Sequence, residues 1–271
     1  MGALDAVTGW PVGSAAAAVV GPAGVLATCG DADAVFPLAS VTKPLVALAV
    51  LVAVEEGALG LDDPAGPPGS TVRHLLAHAS GLAMENADQV ARPGSRRVYS
   101  NTGFAVLGDH LRSVTGIALP DYLHQAVCEP LGLRATALVG HPGSGARASV
   151  ADLAAVAGEL LAPGRLLHPS TVVELATVQF PGLVGVVPGF GRQPTNDWGL
   201  GVEIRDSKSP HWTGTRNSPA TYGHFGRSGT FLWVDPVARL ACIALTDTEF
   251  EQWAKDAWPA LSDSVLAAYA D

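Results

Sequence analysis

The order of predicted elements constrains the fold of this chain most strongly, because strand patterns lie at both ends and helical patterns lie between them. Residues 15–27 contain two short apolar runs separated by turn residues, which is typical of a β-hairpin. After Trp198, the segments WGLGVEI, TFLWVDP and RLACIALTD again indicate strands, the last two joined by a tight turn at Asp235-Pro236. Helical patterns dominate residues 71–178. This order predicts one sheet that is built from both ends of the chain.

We therefore predict an α/β (α+β) fold in which an antiparallel sheet is flanked by helices. Residues 1–60 and 190–271 would form the sheet-containing region, and residues 61–189 an inserted, mainly helical region. An amphipathic helix is predicted near residues 249–270, and the Gly/Pro-rich stretch 182–196 is interpreted as a loop that returns to the sheet. We expect the cleft to lie between the two regions.

Composition argues against several kinds of partner. The formal net charge is −9, which would repel a polyphosphate backbone, so we expect no nucleic-acid partner. Cys29, Cys128 and Cys242 are widely spaced without a CxxC pair, and we interpret them as core residues. The apolar run near the N-terminus is broken by Gly21 and Pro22 and no Lys or Arg precedes it. We therefore expect a cytoplasmic protein with no membrane partner.

The first group of chemically interesting residues is Ser40-Val41-Thr42-Lys43. A spacing of three places Ser40 and Lys43 one helical turn apart on the same face, so their side chains can meet. Pro44 is tolerated only in a first helical turn, which confines Ser40 to the helix start, where free N–H groups favour negative charge. The apolar run that follows would desolvate Lys43 and lower its pKa. The alternative is a capping serine with an ordinary lysine on the next turn.

The second group is Tyr99-Ser100-Asn101, which precedes a helix predicted to begin near Thr102. A tyrosine beside a cation at a helix entry shares or loses its phenolic proton more easily than a free one, so Tyr99 is a candidate general base. The alternative is a helix cap formed by Ser100 or Asn101, with Tyr99 packed in the core.

The third group is the segment YGHFGRSG, residues 222–229, immediately before the strand TFLWVDP. Glycines at this density on a strand allow a ligand to approach the backbone closely, and such an edge can supply an N–H group to an oxyanion. The alternative is a Gly-rich hairpin with a surface histidine.

Taken in order, SVTK, YSN and HFG resemble the three motifs of the serine β-lactamase and penicillin-binding protein superfamily. They look like those of its class C β-lactamase, D-alanyl-D-alanine carboxypeptidase and family VIII esterase branch. Other segments are similar to landmarks of that branch in the same order: FPLASVTK, VEEGALGLDDP, TVRHLLAHASGL, PGSRRVYSNTGFAVLG, EPLGL, SVADLA, WGLGV and FLWVDP. The resemblance covers roughly residues 13–248 and implies a β-lactamase/transpeptidase-like fold.

Carried over residue by residue, the resemblance implies three catalytic residues. Ser40 would be the acylated nucleophile, Lys43 its hydrogen-bonded activator, and Tyr99 the base that later protonates the leaving group. Whether Lys43 or Tyr99 takes the first proton stays open, because the two groups titrate as a coupled pair.

The resemblance also implies a substrate-binding set. Asn101 would hold the flank of the substrate and steady Lys43, and His224 takes the place of the lysine in the KTG form of the third motif. Gly226 belongs to the same motif. The backbone N–H groups of Ser40 and Arg227 would form the oxyanion hole.

Two departures from the family pattern bear on the substrate. Phe225 stands where many penicillin-recognising members have a hydroxyl residue, and only about sixteen residues separate Leu82 from Tyr99. We therefore expect an acyl-enzyme hydrolase of ester, amide or lactam carbonyls, acting most readily on small esters. The alternatives are a β-lactamase or D-alanyl-D-alanine carboxypeptidase and, from another class, a catalytically silent protein that binds β-lactams or peptidoglycan fragments.

No cofactor or metal is expected. His74 and His78 form an HxxxH pair, but no Glu lies between them as in a zinc protease, so we interpret both as packing or capping residues. The expected partner is a small-molecule ester, peptide or lactam. The oligomeric state is not predicted.

Overall fold

The computed structural model describes residues 2–270. Its strands are β1 (Ala15–Gly21), β2 (Gly24–Cys29), β3 (Phe36–Pro37), β4 (Ala137–Leu138), β5 (Ala146–Ala148), β6 (Gly185–Val187), β7 (Gly191–Gln193), β8 (Glu203–Ile204), β9 (Tyr222–Gly226), β10 (Thr230–Asp235) and β11 (Leu240–Thr246). Its α-helices are α1 (Thr42–Glu55), α2 (Val72–Leu76), α3 (Asn101–Thr115), α4 (Leu119–Leu123), α5 (Glu129–Leu131), α6 (Val150–Leu161), α7 (Pro169–Leu175) and α8 (Gln252–Tyr269). Two 3₁₀ turns, Asp5–Gly9 and Ala39–Val41, and a π-helical turn, His124–Cys128, complete the helical elements.

The main sheet joins the two ends of the chain. Its six strands follow the order β2-β1-β11-β10-β9-β8, and each neighbouring pair is antiparallel. β1 pairs with β11 from Ala15 opposite Thr246 to Val20 opposite Ala241. The predicted antiparallel sheet, with helices inserted between its first and last strands, is therefore confirmed.

Both faces of the sheet are covered. Side chains alternate along each strand, so Leu232 and Val234 of β10 join the larger core with α1 and α6. Phe231 and Trp233 point the other way and pack in a second, aromatic-rich core with α8. This alternation explains why all six residues of β10 are buried.

The serine of the first motif lies in a sharp elbow that leads into a buried helix. Ala39 has a φ of 45°, in the left-handed region, and Ser40 follows it in the 3₁₀ turn just before α1. Pro44 stands in the first turn of α1, as predicted. After the apolar run, the chain leaves the helix through Gly57, whose φ of 73° is the left-handed conformation that favours glycine.

Three local predictions are wrong. The TVRHLLAHASGL pattern forms helix only to Leu76, and His78 has a φ of 54°, which no helix accommodates. WGLGVEI contributes only the two residues of β8, because Gly201 has a φ of 77°. The stretch 182–196, predicted to be a loop, contains the β6–β7 hairpin.

The inserted region is not helical throughout, since β4 and β5 form a small sheet with β3. The division of the chain at residues 60 and 190 stays a prediction about domains. Cys128 and Cys242 are buried and Cys29 is half-buried, and all three are free thiols. No helix within residues 2–270 is both long and apolar enough to cross a bilayer.

Candidate active site

The first and second motifs meet at the Ser40 hydroxyl. Tyr99 reaches it from the loop before α3, and its hydroxyl lies 2.6 Å from Ser40 Oγ. Lys43, one turn into the helix, places Nζ 3.4 Å from the same oxygen. The fold therefore brings together the three residues that the sequence predicts to be catalytic, from two segments that lie far apart in the chain.

Lys43 is completely buried. Its Nζ donates to Asn101 Oδ1 at 2.7 Å and to the carbonyl oxygen of Gly143 at 2.8 Å. It also lies 4.5 Å from the centre of the Tyr99 ring. Burial lowers the pKa of Lys43 well below its ordinary value, and the nearby Glu85 carboxylate opposes that change only in part.

The loop before α3 positions Tyr99. Ser100 caps the helix, because its hydroxyl accepts a hydrogen bond from the Gly103 N–H at 2.9 Å. The cap and the active-site contact therefore coexist at neighbouring residues. Burial raises the pKa of Tyr99, although the hydrogen bond with Ser40 works in the opposite direction.

His224 of β9 faces Tyr99 from the sheet. Its Nδ1 lies 2.7 Å from the Phe225 carbonyl oxygen, which can only accept, so Nδ1 carries the ring proton. Nε2 is then an acceptor 3.5 Å from the Tyr99 hydroxyl. Burial, reinforced by Lys43, lowers the pKa of His224 to about 3, so the third motif presents a neutral imidazole.

The end of β9 lies directly against the serine elbow. A Cβ atom on Gly226 would come within 2.2 Å of the Leu38 carbonyl oxygen, so only glycine allows this approach. Arg227 follows Gly226 directly in the chain, and its exposed side chain pairs with Glu249 at 3.4 Å. Both residues thus occupy the edge that the sequence analysis assigned to substrate binding.

A cavity of about 400 Å³ opens over Ser40. Much of its wall is apolar, and Phe225 stands in that wall, its ring centre 4.9 Å from that of Phe250. The cavity is lined by Ser40, Met84, Tyr99, Pro188, Gly189, Trp198, Glu203, His224, Phe225, Arg227, Phe250, Glu251, Gln252 and Lys255.

Two polar groups at the site were not predicted from the sequence. Gly143 supplies its carbonyl to Lys43 from a loop one hundred residues away. Glu85 accepts a hydrogen bond from Asn101 Nδ2 at 2.8 Å. Neither belongs to a local pattern, and only the short Leu82–Tyr99 segment marked the region of Glu85.

A buried ionic group borders the cavity, because its carboxylate, Glu203, is one of the lining residues. The Glu203 carboxylate accepts a hydrogen bond from Trp212 Nε1 at 2.7 Å and lies within 3.5 Å of His211 Nε2 and Lys208 Nζ. Burial works to raise the pKa of Glu203, but His211, Lys208 and these hydrogen bonds hold it at about 2. Glu203 therefore stays ionised although it is only 2% exposed.

The two histidines of the HxxxH pair have structural contacts. His74 Nδ1 lies 2.9 Å from the Thr71 hydroxyl at the start of α2, and its ring stacks on Phe180. His78 Nδ1 accepts a hydrogen bond from the Ser100 N–H at 3.1 Å. Across residues 2–270, no group of three or more His, Cys, Asp or Glu side chains is arranged to hold a metal ion.

Comparison with solved structures places this fold among known proteins. A protein from Mycobacterium bovis described as a β-lactamase is 61% identical, with a TM-score of 0.98 over 99% of this chain and 100% of that chain. EstCE1, described as a hydrolase with promiscuous acyltransferase activity, shares the fold at 21% identity, with a TM-score of 0.81 over 97% of this chain and 96% of its own.

Sequence comparison gives the same assignment. Esterase EstB of Burkholderia gladioli is 27% identical over 87% of this chain and 83% of its own length. Two longer relatives, from Salmonella heidelberg and Escherichia coli, are described as D-alanyl-D-alanine carboxypeptidases. Each is 25% identical to this chain over 68% of this chain and 53% of its own length. The family model named Beta-lactamase matches residues 8–265. With most of its length matched in this way, the chain belongs to the β-lactamase family of serine hydrolases.

Proposed function

We propose that this enzyme hydrolyses small esters through an acyl-enzyme on Ser40. The observation that carries the proposal is the composition of the cavity over Ser40, which combines apolar walls with a neutral His224. Members of the family act on ester, peptide or lactam carbonyls. The cavity wall favours one of these substrate classes through its contacts with the rest of the substrate, outside the reacting carbonyl.

In the first step, Ser40 attacks the ester carbonyl and passes its proton to Lys43. A neutral amine has two hydrogens and one lone pair. The hydrogens fit the oxygens of Asn101 and Gly143, 2.7 and 2.8 Å away, which leaves the lone pair for the third neighbour, Ser40 Oγ. Burial favours this neutral form of Lys43.

Tyr99 acts as the proton donor to the leaving group. Its raised pKa keeps the phenol protonated, and its hydroxyl lies between Ser40 Oγ at 2.6 Å and His224 Nε2 at 3.5 Å. When the carbon–oxygen bond to the alcohol breaks, Tyr99 gives its proton to the departing alkoxide. The proton that Lys43 holds then replaces it, so the alcohol leaves neutral. Our proposal therefore assigns the base role to Lys43 rather than to Tyr99.

The negative charge that develops on the carbonyl oxygen is stabilised at the serine elbow. Backbone N–H groups of Ser40 and Arg227 are the proposed donors, and Gly226 allows their two segments to lie close together. The start of α1 adds the positive end of a helix dipole. Water then attacks the acyl-enzyme: Tyr99 accepts a proton from the water as it passes its own proton to Lys43. Lys43 returns that proton to Ser40 Oγ when the bond between the acyl carbon and Ser40 breaks, which releases the carboxylic acid.

Small esters suit the site better than β-lactams for an electrostatic reason. A bicyclic lactam carries a carboxylate that needs a cation or hydroxyl donors near the third motif. His224 is neutral there, Phe225 presents an apolar ring, and the guanidinium of Arg227 is exposed and pairs with Glu249. Lys255 is the other cation of the cavity wall, but it belongs to α8 rather than to the third motif, and its Nζ lies 6.0 Å from the centre of the Phe250 ring. An uncharged acyl chain has no such requirement and gains from burial against apolar walls.

The test compares kcat/KM for p-nitrophenyl butyrate with kcat/KM for nitrocefin. We expect the ester to be favoured by at least about tenfold, and Phe225→Thr to move the ratio toward nitrocefin. Ser40→Ala should abolish both activities and also the covalent label left by a fluorophosphonate. Activity that survives Ser40→Ala would overturn the mechanism, and a ratio that favours nitrocefin would overturn the substrate class alone.

A β-lactamase is the second candidate. It is favoured by the 61% identical Mycobacterium bovis protein, which is described as a β-lactamase. The nitrocefin arm of the same comparison decides between the two. The cytoplasmic location stays a prediction.

A further inference from the structure

Glu85 lies outside the three motifs but contacts one of their residues. It sits in the short segment between Leu82 and Tyr99, and its Oε1 accepts a hydrogen bond from Asn101 Nδ2 at 2.8 Å. The other end of that amide, Asn101 Oδ1, accepts from Lys43 Nζ at 2.7 Å. A carboxylate, an amide and a buried amine therefore form one chain that ends beside Ser40.

The carboxylate decides which way the amide faces. A carboxylate oxygen only accepts hydrogen bonds, so the NH₂ group of Asn101 must turn toward Glu85 and the carbonyl oxygen toward Lys43. In the reversed orientation, the NH₂ group would face Lys43 Nζ and would compete with Ser40 for the lone pair of the neutral amine. Glu85 thus excludes the orientation that would disable Lys43.

The backbone holds Glu85 in place independently of its own side chain. The N–H groups of Asn101 and Thr102 both donate to the Met84 carbonyl, at 2.9 and 3.1 Å. The Ser100 hydroxyl donates to the Ala83 carbonyl at 2.7 Å. The backbone next to Glu85 is therefore held against the start of α3, which keeps this surface side chain within reach of Asn101.

Glu85 is also the charge that opposes the effect of burial on Lys43. The titratable side chains that face Lys43 are Tyr99 from the loop before α3, His78 from the turn after α2 and His224 from β9. Burial lowers the pKa of both histidines and raises that of Tyr99, so all three are neutral near pH 7. The Glu85 carboxylate, by contrast, raises the pKa of Lys43.

We infer that Glu85 is a positioning residue for the proposed reaction. It orients Asn101 so that the lone pair of the neutral Lys43 amine stays available to Ser40, and its negative charge favours the protonated form of that amine. The inference rests on the proposed role of Lys43 as the base. It assigns two separable effects to one side chain, a hydrogen-bond acceptor and a negative charge.

Two variants separate those effects. Glu85→Gln keeps an oxygen acceptor for Asn101 but removes the charge, whereas Glu85→Ala removes both. Asp88→Asn is the matched control, because Asp88 is an exposed carboxylate of the same segment whose side chain takes part in no hydrogen bond or ion pair within residues 2–270. The readout is the pH dependence of kcat/KM for p-nitrophenyl butyrate.

kcat/KM rises with pH as Lys43 loses its proton. The pH at which this rise occurs, the acid limb of the profile, therefore reports the charge near Lys43. We expect Glu85→Gln to keep most of the plateau activity and to move the acid limb to lower pH. At a pH on the acid limb, kcat/KM divided by its plateau value should be about threefold larger for Glu85→Gln than for the wild type. Glu85→Ala should lose about tenfold at the plateau, because Asn101 is no longer oriented. Asp88→Asn should match the wild type throughout.

An acid limb of Glu85→Gln that coincides with the wild type would overturn the inference, as would a plateau of Glu85→Ala equal to the wild type. Stoichiometric labelling of Ser40 by fluorophosphonate and an unchanged near-UV circular dichroism spectrum identify variants that remain folded. A failure of the proposed function is recognised separately and without any Glu85 variant: either Ser40→Ala keeps its activity, or the wild type favours nitrocefin over the ester.

Discussion

Two lysines are buried in this protein, and their surroundings differ in one respect. Lys43 is 0% exposed and donates to the neutral oxygens of Asn101 and Gly143. Lys208 is 3% exposed and lies 3.5 Å from the Glu203 carboxylate, with the carbonyl oxygens of Asp197 and Ile204 as further acceptors. Burial without a directly paired carboxylate favours a neutral amine, whereas a buried carboxylate supports an ammonium ion. The first arrangement suits proton transfer, and the second holds the structure together.

The largest effect expected from this comparison is on catalysis. Lys43→Met should lower kcat/KM for p-nitrophenyl butyrate by about 10³-fold, because the base is lost. The free energy of unfolding should change by less than about 2 kcal/mol, since only neutral hydrogen bonds are removed. Urea denaturation and steady-state kinetics on the same preparation provide both measurements. A folded variant with near-normal turnover would mean that Lys43 is not the base.

Lys208→Met should show the opposite pattern, a large loss of stability and a small change in activity. Removing one partner of a buried ion pair leaves Glu203 short of a counter-charge and should cost about 4 kcal/mol of stability. In the fraction that stays folded, kcat/KM should remain within about threefold of the wild type. If this variant instead lost activity as Lys43→Met does while keeping its stability, the distinction between the two lysines would fail.

The pH dependence of stability should also report the Glu203 region. The pKa of Glu203 is about 2 in the folded protein and near 4.5 in the unfolded chain. Its contribution to stability is therefore complete above pH 4.5 and is lost as the pH falls toward 2, a change of up to about 3 kcal/mol. Urea titrations between pH 6 and pH 2 on the wild type and on Glu203→Gln measure this contribution. If the free energy of unfolding fell equally with pH in the wild type and in Glu203→Gln, this contribution would be contradicted.

The smallest expected effect is on stability, and it compares a hydrogen bond to the charged Glu203 with a hydrogen bond to a neutral group. Trp212 donates to the charged Glu203 at 2.7 Å, whereas Trp233 donates to the neutral hydroxyl of Ser262 at 3.0 Å. Trp212→Phe should cost about 2 kcal/mol and Trp233→Phe about 1 kcal/mol, because bonds to a buried charge are stronger. Thermal unfolding of the two variants tests the order, and the reverse order would argue that Glu203 is not ionised.

The parts of the site that lie on local patterns were predictable from sequence. The spacing of Ser40 and Lys43 with Pro44 beside them predicts a helix start, and the glycines around His224 predict a strand whose backbone a ligand can approach closely. The structure adds that Gly226 also lets this strand lie against the serine elbow. The hairpin of β1 and β2 follows from its turn residues for the same reason. Each of these features is encoded within a few consecutive residues.

The missed parts depend on contacts between distant segments. Gly143 reaches Lys43 through its backbone carbonyl, which every residue type possesses, so no side chain marks it. Glu85 and Glu203 act through geometry that only the folded chain creates. α2 ends at Leu76 although the local pattern is helical, and the ring of His78, whose φ is 54°, lies 4.5 Å from the Tyr99 ring, centre to centre. Tertiary contacts of this kind override local helical patterns.

The pairing of β1 with β11 also bears on how the chain is made. β1 leaves the ribosome long before its partner, since Ala15 lies opposite Thr246. At ordinary translation rates the interval is roughly ten seconds or more, during which one edge of β1 has no strand to bond with. The nascent chain therefore carries an open, apolar strand edge through most of its synthesis, which is the kind of surface that chaperones cover. We expect the yield of folded protein in cell-free translation to depend on a chaperone more strongly than refolding of the finished chain from dilute denaturant does.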